Sequence, residues 1–271
     1  MKFSANISTL FSDLASISDR YRHLLSSRCG QFFDTIECQD PYQLTPDEYT
    51  NLFQDCRNKG FNLPKWDLIN SPHLFQIYTQ GEIPSQDEFQ SKILDKVVTY
   101  CQLLNCPKVH LVMNDLPSSS PVNREEGMVE MINLLYYGAN FLSKHQINVV
   151  IEPLSIRNNY YLRSYDQAVD IVKRYTENTG QSNMKVLLDI FHLQKLHGNI
   201  TDYVRKTMPS VGHIQISQAP DRDGPFNPGE INYDYVLKLL ASCNYDGHIG
   251  LEYKNTTNDS FDWIRDYLIT I

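Results

Sequence analysis

The chain has 271 residues, 41% of them hydrophobic, and 24 Lys and Arg stand against 32 Asp and Glu for a net charge of -8. There is ample material for a core, and the negative balance argues against a surface built to neutralise a phosphate backbone, so a small ligand is expected and nucleic acid is not. No apolar run approaches the roughly 18 residues of a membrane helix, the start MKFSANISTLFSDLAS lacks a signal-peptide core, and six cysteines without a C-x-x-C pair read as reduced thiols, so no membrane contact and a cytoplasmic location are expected.

In chain order, β-branched and apolar runs predict strands at 3–7 (FSANI), 32–37 (FFDTIE), about 60–69, 107–113 (PKVHLVM), 147–152, 184–189, 211–216 and 247–253. Between them, apolar residues at helical spacing predict helices at 45–58, 86–104, 123–145, 164–179, 199–208, 232–243 and 257–269. Thr45-Pro46-Asp47-Glu48 supplies an N-cap, a proline at the first position and acids in the first turn, and Ser164 opens another helix. Pro64 weakens the third strand, and 70–85 reads as a long loop.

Alternating strands and helices imply parallel strands with crossover helices, and eight such units suit a closed (β/α)8 TIM barrel spanning 1–271 as a single catalytic domain. No Gly-x-Gly-x-x-Gly follows the first strand, so no nucleotide cofactor is expected.

Four of the later strands end on a polar residue: Glu152 in INVVIEP, Asp189 in MKVLLDI, Gln215 in VGHIQI and Glu252 in GHIGLEY. A polar group at the end of a buried strand is costly without a use, and in a barrel of this kind the strand ends converge on one mouth. Three carboxylates gathered there repel one another and call for a cation. Oxygen ligands from Glu152, Asp189, Gln215 and Glu252 favour Mg²⁺ or Mn²⁺. The bland alternative is that each acid pairs with an arginine or lysine across the barrel top.

His192 lies three residues after Asp189 and can reach the same mouth to donate to a substrate oxygen. His213 shares a strand face with Gln215 and is open between core and site, whereas His110 reads as a hydrogen-bonded core residue. Arg222, in the loop after Gln215, and Arg157, in the loop after Glu152, are each candidates to clamp a substrate carboxylate or to remain surface charges.

Taken together, IEP at Glu152, LLDIFHLQ at 187–194, GHIQISQAP followed by GEINY at 212–233 and GLEY ending on Glu252 and Tyr253 resemble the hydroxypyruvate isomerase family of the xylose isomerase-like barrels. The resemblance covers nearly the whole chain. It implies interconversion of hydroxypyruvate and tartronate semialdehyde, acid–base roles for Glu152 and Glu252, and metal ligation at Glu152, Asp189, Gln215 and Glu252. The chain departs from the family pattern in its mouth loops, with Asp223-Gly224-Pro225 after Arg222 and SIRNNYYL after Pro153-Leu154. The substrate is therefore expected to be a small hydroxy-oxo acid, the alternatives being a ketose epimerase or other oxo-acid isomerase of the same barrel group and a catalytically silent metabolite-binding barrel. Oligomeric state is left open.

Overall fold

The computed structural model describes residues 1–117 and 121–268, with only the backbone described at 121 and 122. Its strands are β1 (Lys2–Asn6), β2 (Thr35–Cys38), β3 (Lys65–Asn70), β4 (Lys108–His110), β5 (Asn148–Ile151), β6 (Met184–Asp189), β7 (Val211–Ile216) and β8 (His248–Leu251). They pair in chain order, each parallel to the next, and β8 closes on β1 through Lys2↔His248. This is the expected parallel barrel. Among the described residues no helix is long and apolar enough to cross a membrane, and all six cysteines are free.

Local chemistry explains where elements begin. Thr45 caps Pro46–Asn58 through a reciprocal bond with Glu48, and Ser164 caps Tyr165–Thr179 by accepting from the Gln167 N–H. A helix at Ile17–Ser26, absent from the expectation, starts the same way at Ser16, which accepts from the Asp19 N–H. Pro64 sits just outside β3, where its missing N–H costs no ladder bond. The run 86–104 is helical but passes through a π turn at Gln90–Leu94. The helix expected at 257–269 is instead a short 3-10 turn, Asp262–Asp266, and residue 269 lies outside the described residues. Its stretch KNTTNDS offers loop formers rather than an apolar stripe.

The main apolar core lies between the barrel and its helices, joining Ala5, Ile36, Ile69, Val149, Leu188 and Ile214 to helical residues such as Leu52, Val97 and Leu135. A second, separate cluster contains only Leu68, Val150 and Leu187. Val150 and Leu187 each precede a site acid by two positions, so these three point inward with Glu152 and Asp189. The barrel interior is otherwise polar: Ser4, Asn6, Glu37, His110, His213 and Gln215 are all buried. A cavity of about 610 Å³ opens at the N-terminal ends of the strands, lined by Lys65, Trp66 and His248 among others. That end serves stability in this architecture, and the chemistry belongs at the other.

Candidate active site

Asp189 pairs in register with Gln215, and Gln215 with Gly250, so on three neighbouring strands these positions stand level. Glu152 and Glu252 follow directly after β5 and β8 on the same rim. None of Glu152, Asp189, Gln215 and Glu252 is more than 5% exposed. The four strand-end residues therefore lie buried at the C-terminal end of one barrel.

Arg222 sits among the acids with its backbone in the left-handed region at φ 61°. Its Nη2 donates to Asp189 Oδ2 at 3.2 Å and to Glu252 Oε2 at 2.7 Å, and its guanidinium lies 5.1 Å from the centre of the Phe191 ring. Nη2 alone makes both bonds. Its other N–H groups make no hydrogen bond among the described residues, which leaves a charged fork for a further anion. Glu252 Oε1 accepts in turn from Gln39 Nε2, and Asp189 Oδ1 accepts from the Phe191 N–H at 2.7 Å.

Glu152 is different. Its Oε1 is buried without a hydrogen-bond partner, while His110 Nδ1 lies 3.5 Å from its Oε2. His192 Nε2 approaches to 3.9 Å from Glu152 Oε1 and 3.7 Å from Asp189 Oδ2. The backbone N–H of Ser155 donates to His192 Nδ1 at 3.0 Å, so that nitrogen accepts and the proton of the neutral ring sits on Nε2. His192 thus presents an N–H to the mouth, and that atom has no partner in the structure.

Burial governs the protonation of these groups. It raises Glu152 well above the usual carboxylate range, helped by the charges of Glu252 and Asp189 and opposed by Arg222. Asp189 is pushed up to about 7 and Glu252 is also raised, in both cases by burial with Arg222 pulling down. Burial lowers His192 well below its ordinary value and takes His110 down to about 3, so both rings are neutral. A site that raises three carboxylates together is one that welcomes positive charge.

The ligand atoms of Glu152, Asp189 and His192 lie within 4.8 Å of one another, close enough to share an ion. The protonated Nε2 of His192 is a donor and makes a poor ligand. The unpartnered Glu152 Oε1 and Asp189 supply hard oxygens, and Gln215, level with Asp189, carries an amide oxygen that would complete a set that fits Mg²⁺ or Mn²⁺.

Two expected substrate contacts, Arg157 and His213, are engaged with other partners. Arg157 donates Nε and Nη2 to Asp115 at 3.0 and 2.6 Å, and stacks 3.8 Å from the Phe75 ring centre. Its charge is already paired, and it ties the loop after β5 to the loops after β3 and β4. His213 turns into the barrel, bonding Glu37 Oε1 at 2.8 Å, and does not reach the carboxylate cluster. His110, read as a core residue, proves both buried and adjacent to Glu152. Glu37 and Gln39 were not singled out. Glu37 carried the same signal as the others, a polar residue near the end of the apolar run FFDTIE.

A family model described as xylose isomerase-like TIM barrel matches residues 26–267. The human "Putative hydroxypyruvate isomerase" is 31% identical, covering 98% of this chain and 95% of its own. Hydroxypyruvate isomerase of Escherichia coli strain K12 is 27% identical over 98% of this chain and 99% of its own. A crystal structure of a family 2 AP endonuclease from Brucella melitensis matches with a TM-score of 0.81 at 27% identity, covering 98% of both chains. The chain belongs to the xylose isomerase-like TIM barrel family, on its hydroxypyruvate isomerase branch, and is an isomerase.

Proposed function

We propose that this isomerase interconverts hydroxypyruvate and tartronate semialdehyde, with Glu152 and Glu252 as its acid–base pair. The observation that carries the reading is Glu152: a buried carboxylate at the barrel mouth whose Oε1 has no partner, with a pKa raised by burial and by Glu252. A carboxyl so placed holds its proton more firmly than an exposed one and can deliver it to a substrate carbon, as a general acid must. Full-length likeness to proteins named hydroxypyruvate isomerase supports the choice of substrate.

In the forward direction one glutamate takes a proton from the C3 hydroxymethylene carbon, leaving an enediolate. The other returns a proton to C2, while the hydroxyl proton passes from the C3 oxygen to the C2 oxygen. Atoms and charge balance, and the two glutamates exchange roles in reverse. Arg222 holds the substrate carboxylate with the N–H groups it does not use on Asp189 and Glu252. The His192 Nε2–H donates to a substrate oxygen and orients the carbon that loses its proton. A divalent ion held by Glu152, Asp189, Gln215 and Glu252 would offset negative charge on the substrate oxygens.

The test is an NMR-monitored reaction of hydroxypyruvate in D₂O, with and without chelator, and with 2-oxo acids one carbon longer as alternatives. Turnover with deuterium on the product carbon is expected, and Glu152→Gln and Glu252→Gln should each lower kcat by about 10²–10⁴-fold with the fold retained. Full turnover without deuterium uptake, or unchanged kcat in both variants, overturns the acid–base assignment. Turnover of the longer acids alone overturns the substrate.

A further inference from the structure

Inside the barrel, beneath the mouth, four side chains form a hydrogen-bonded series, and three of them, Lys108, His213 and Glu37, have no part in the isomerisation chemistry. Lys108 Nζ lies 3.2 Å from His213 Nδ1, His213 Nε2 lies 2.8 Å from Glu37 Oε1, and Gln215 Nε2 lies 2.7 Å from Glu37 Oε2. His213 and Glu37 are at most 1% exposed and Gln215 is 4% exposed. The series has a direction. A lysine ammonium has donors only, so His213 Nδ1 accepts where it meets Lys108, with Asp67 Oδ2 3.5 Å from the same nitrogen. The ring proton then sits on Nε2 and is donated to Glu37. Gln215 turns its NH₂ group to the second Glu37 oxygen, which leaves its carbonyl oxygen to face away from Glu37.

The space for this arrangement is itself built in. Gly250, level with Gln215 on β8, has no side chain, and a Cβ there would fall 2.0 Å from Glu37 Oε1. A buried carboxylate that leans on a glycine and accepts from two side chains is costly unless it holds something in place.

We propose that Glu37 is a positioning residue: it clamps the amide of Gln215 so that the carbonyl oxygen, not the NH₂ group, is presented to a divalent cation at the mouth. An uncharged amide has equal room for either orientation and only one of them binds a cation, so a site that uses glutamine as a ligand gains from a fixed acceptor behind it. The inference rests on the reading above that Gln215 belongs to the ion site.

The test is Mn²⁺ binding to chelator-treated protein, measured by paramagnetic resonance of free Mn²⁺ and by the cation-induced rise in Tm, with no substrate present. Glu37→Gln, whose new amide accepts or donates equally well, should weaken Mn²⁺ binding by about 10-fold or more, as loss of an outer partner of a metal ligand does. The exchange pair Glu37→Gln with Gln215→Glu should bind Mn²⁺ at least as tightly as wild type, because the amide at 37 then donates to a carboxylate at 215 that always has an oxygen to spare. A purely structural Glu37 predicts a lower Tm in Glu37→Gln with an unchanged Kd, and that result overturns the clamp while leaving the ion site standing. If wild type binds no Mn²⁺, the ion site and the clamp fall together. Should Glu37→Gln not fold, the exchange pair decides alone: a Kd weaker than wild type by 10-fold or more overturns the proposal.

Discussion

Replacing Arg222 with methionine keeps the length of the side chain and removes the charge that Asp189 and Glu252 share. Nη2 bonds them at 3.2 and 2.7 Å, and without it two buried carboxylates face each other unpaired. Breaking a buried ion pair by deleting one partner costs about 3–5 kcal/mol. Two features place this case at or below the lower end: the Arg222 side chain is 26% exposed, and both acids already have raised pKa values and can take up a proton. A loss of about 2–3 kcal/mol is therefore expected, which for a chain of this size lowers Tm by about 4–6 °C. The assay is thermal unfolding in chelator, repeated with Mn²⁺. The variant should gain more from Mn²⁺ than wild type, since the ion then offsets charge on Asp189 and Glu252 that Arg222 partly offsets in wild type, and saturation at a hundred times Kd adds about 2.7 kcal/mol. Equal Tm values in chelator, or an equal gain from Mn²⁺, would refute the view that Arg222 and a cation satisfy the same charges.

Gly250→Ala puts a methyl group 2.0 Å from the clamped Glu37 carboxylate, and a cost near the upper end of overpacking, about 3 kcal/mol, should appear as a lower urea midpoint with an unchanged m-value. Thr45→Ala removes one half of a reciprocal cap and should cost about 1 kcal/mol in the same measurement, with no effect on Mn²⁺ binding. His110 titrates at about 3 in the folded chain against 6.5 unfolded, so its neutral form contributes stability above pH 6.5 that is lost as pH falls toward 3. The raised acids Asp189 and Glu37 work in the opposite sense, losing stability as pH rises toward about 7 and 8. The histidine's share is read by difference: the Tm of wild type minus that of His110→Asn should shrink steadily as pH drops below 6.5, and a constant difference would show that His110 is not held neutral by burial.

The periodicity of the chain was enough to specify the barrel, because a parallel strand buried on both faces writes an unbroken β-branched run and the helix between two such strands writes an amphipathic one. It also marked Glu152, Asp189, Gln215 and Glu252, since a polar residue closing an apolar run stands out in one dimension. The elements it misplaced were governed by local detail: the short capped helix Ile17–Ser26, and the segment after β8, where KNTTNDS forms loop ahead of the 3-10 turn Asp262–Asp266. Which charges meet was beyond its reach. Arg157 and Arg222 both follow a site residue in the next loop, yet one is spent on Asp115 and Phe75 while the other bridges Asp189 and Glu252. Glu37 lies 178 positions from Gln215 along the chain and 2.7 Å from it in space. Closing the barrel brought β2 and β7 to a common axis, and that closure is a property of eight strands acting together, which no single segment encodes.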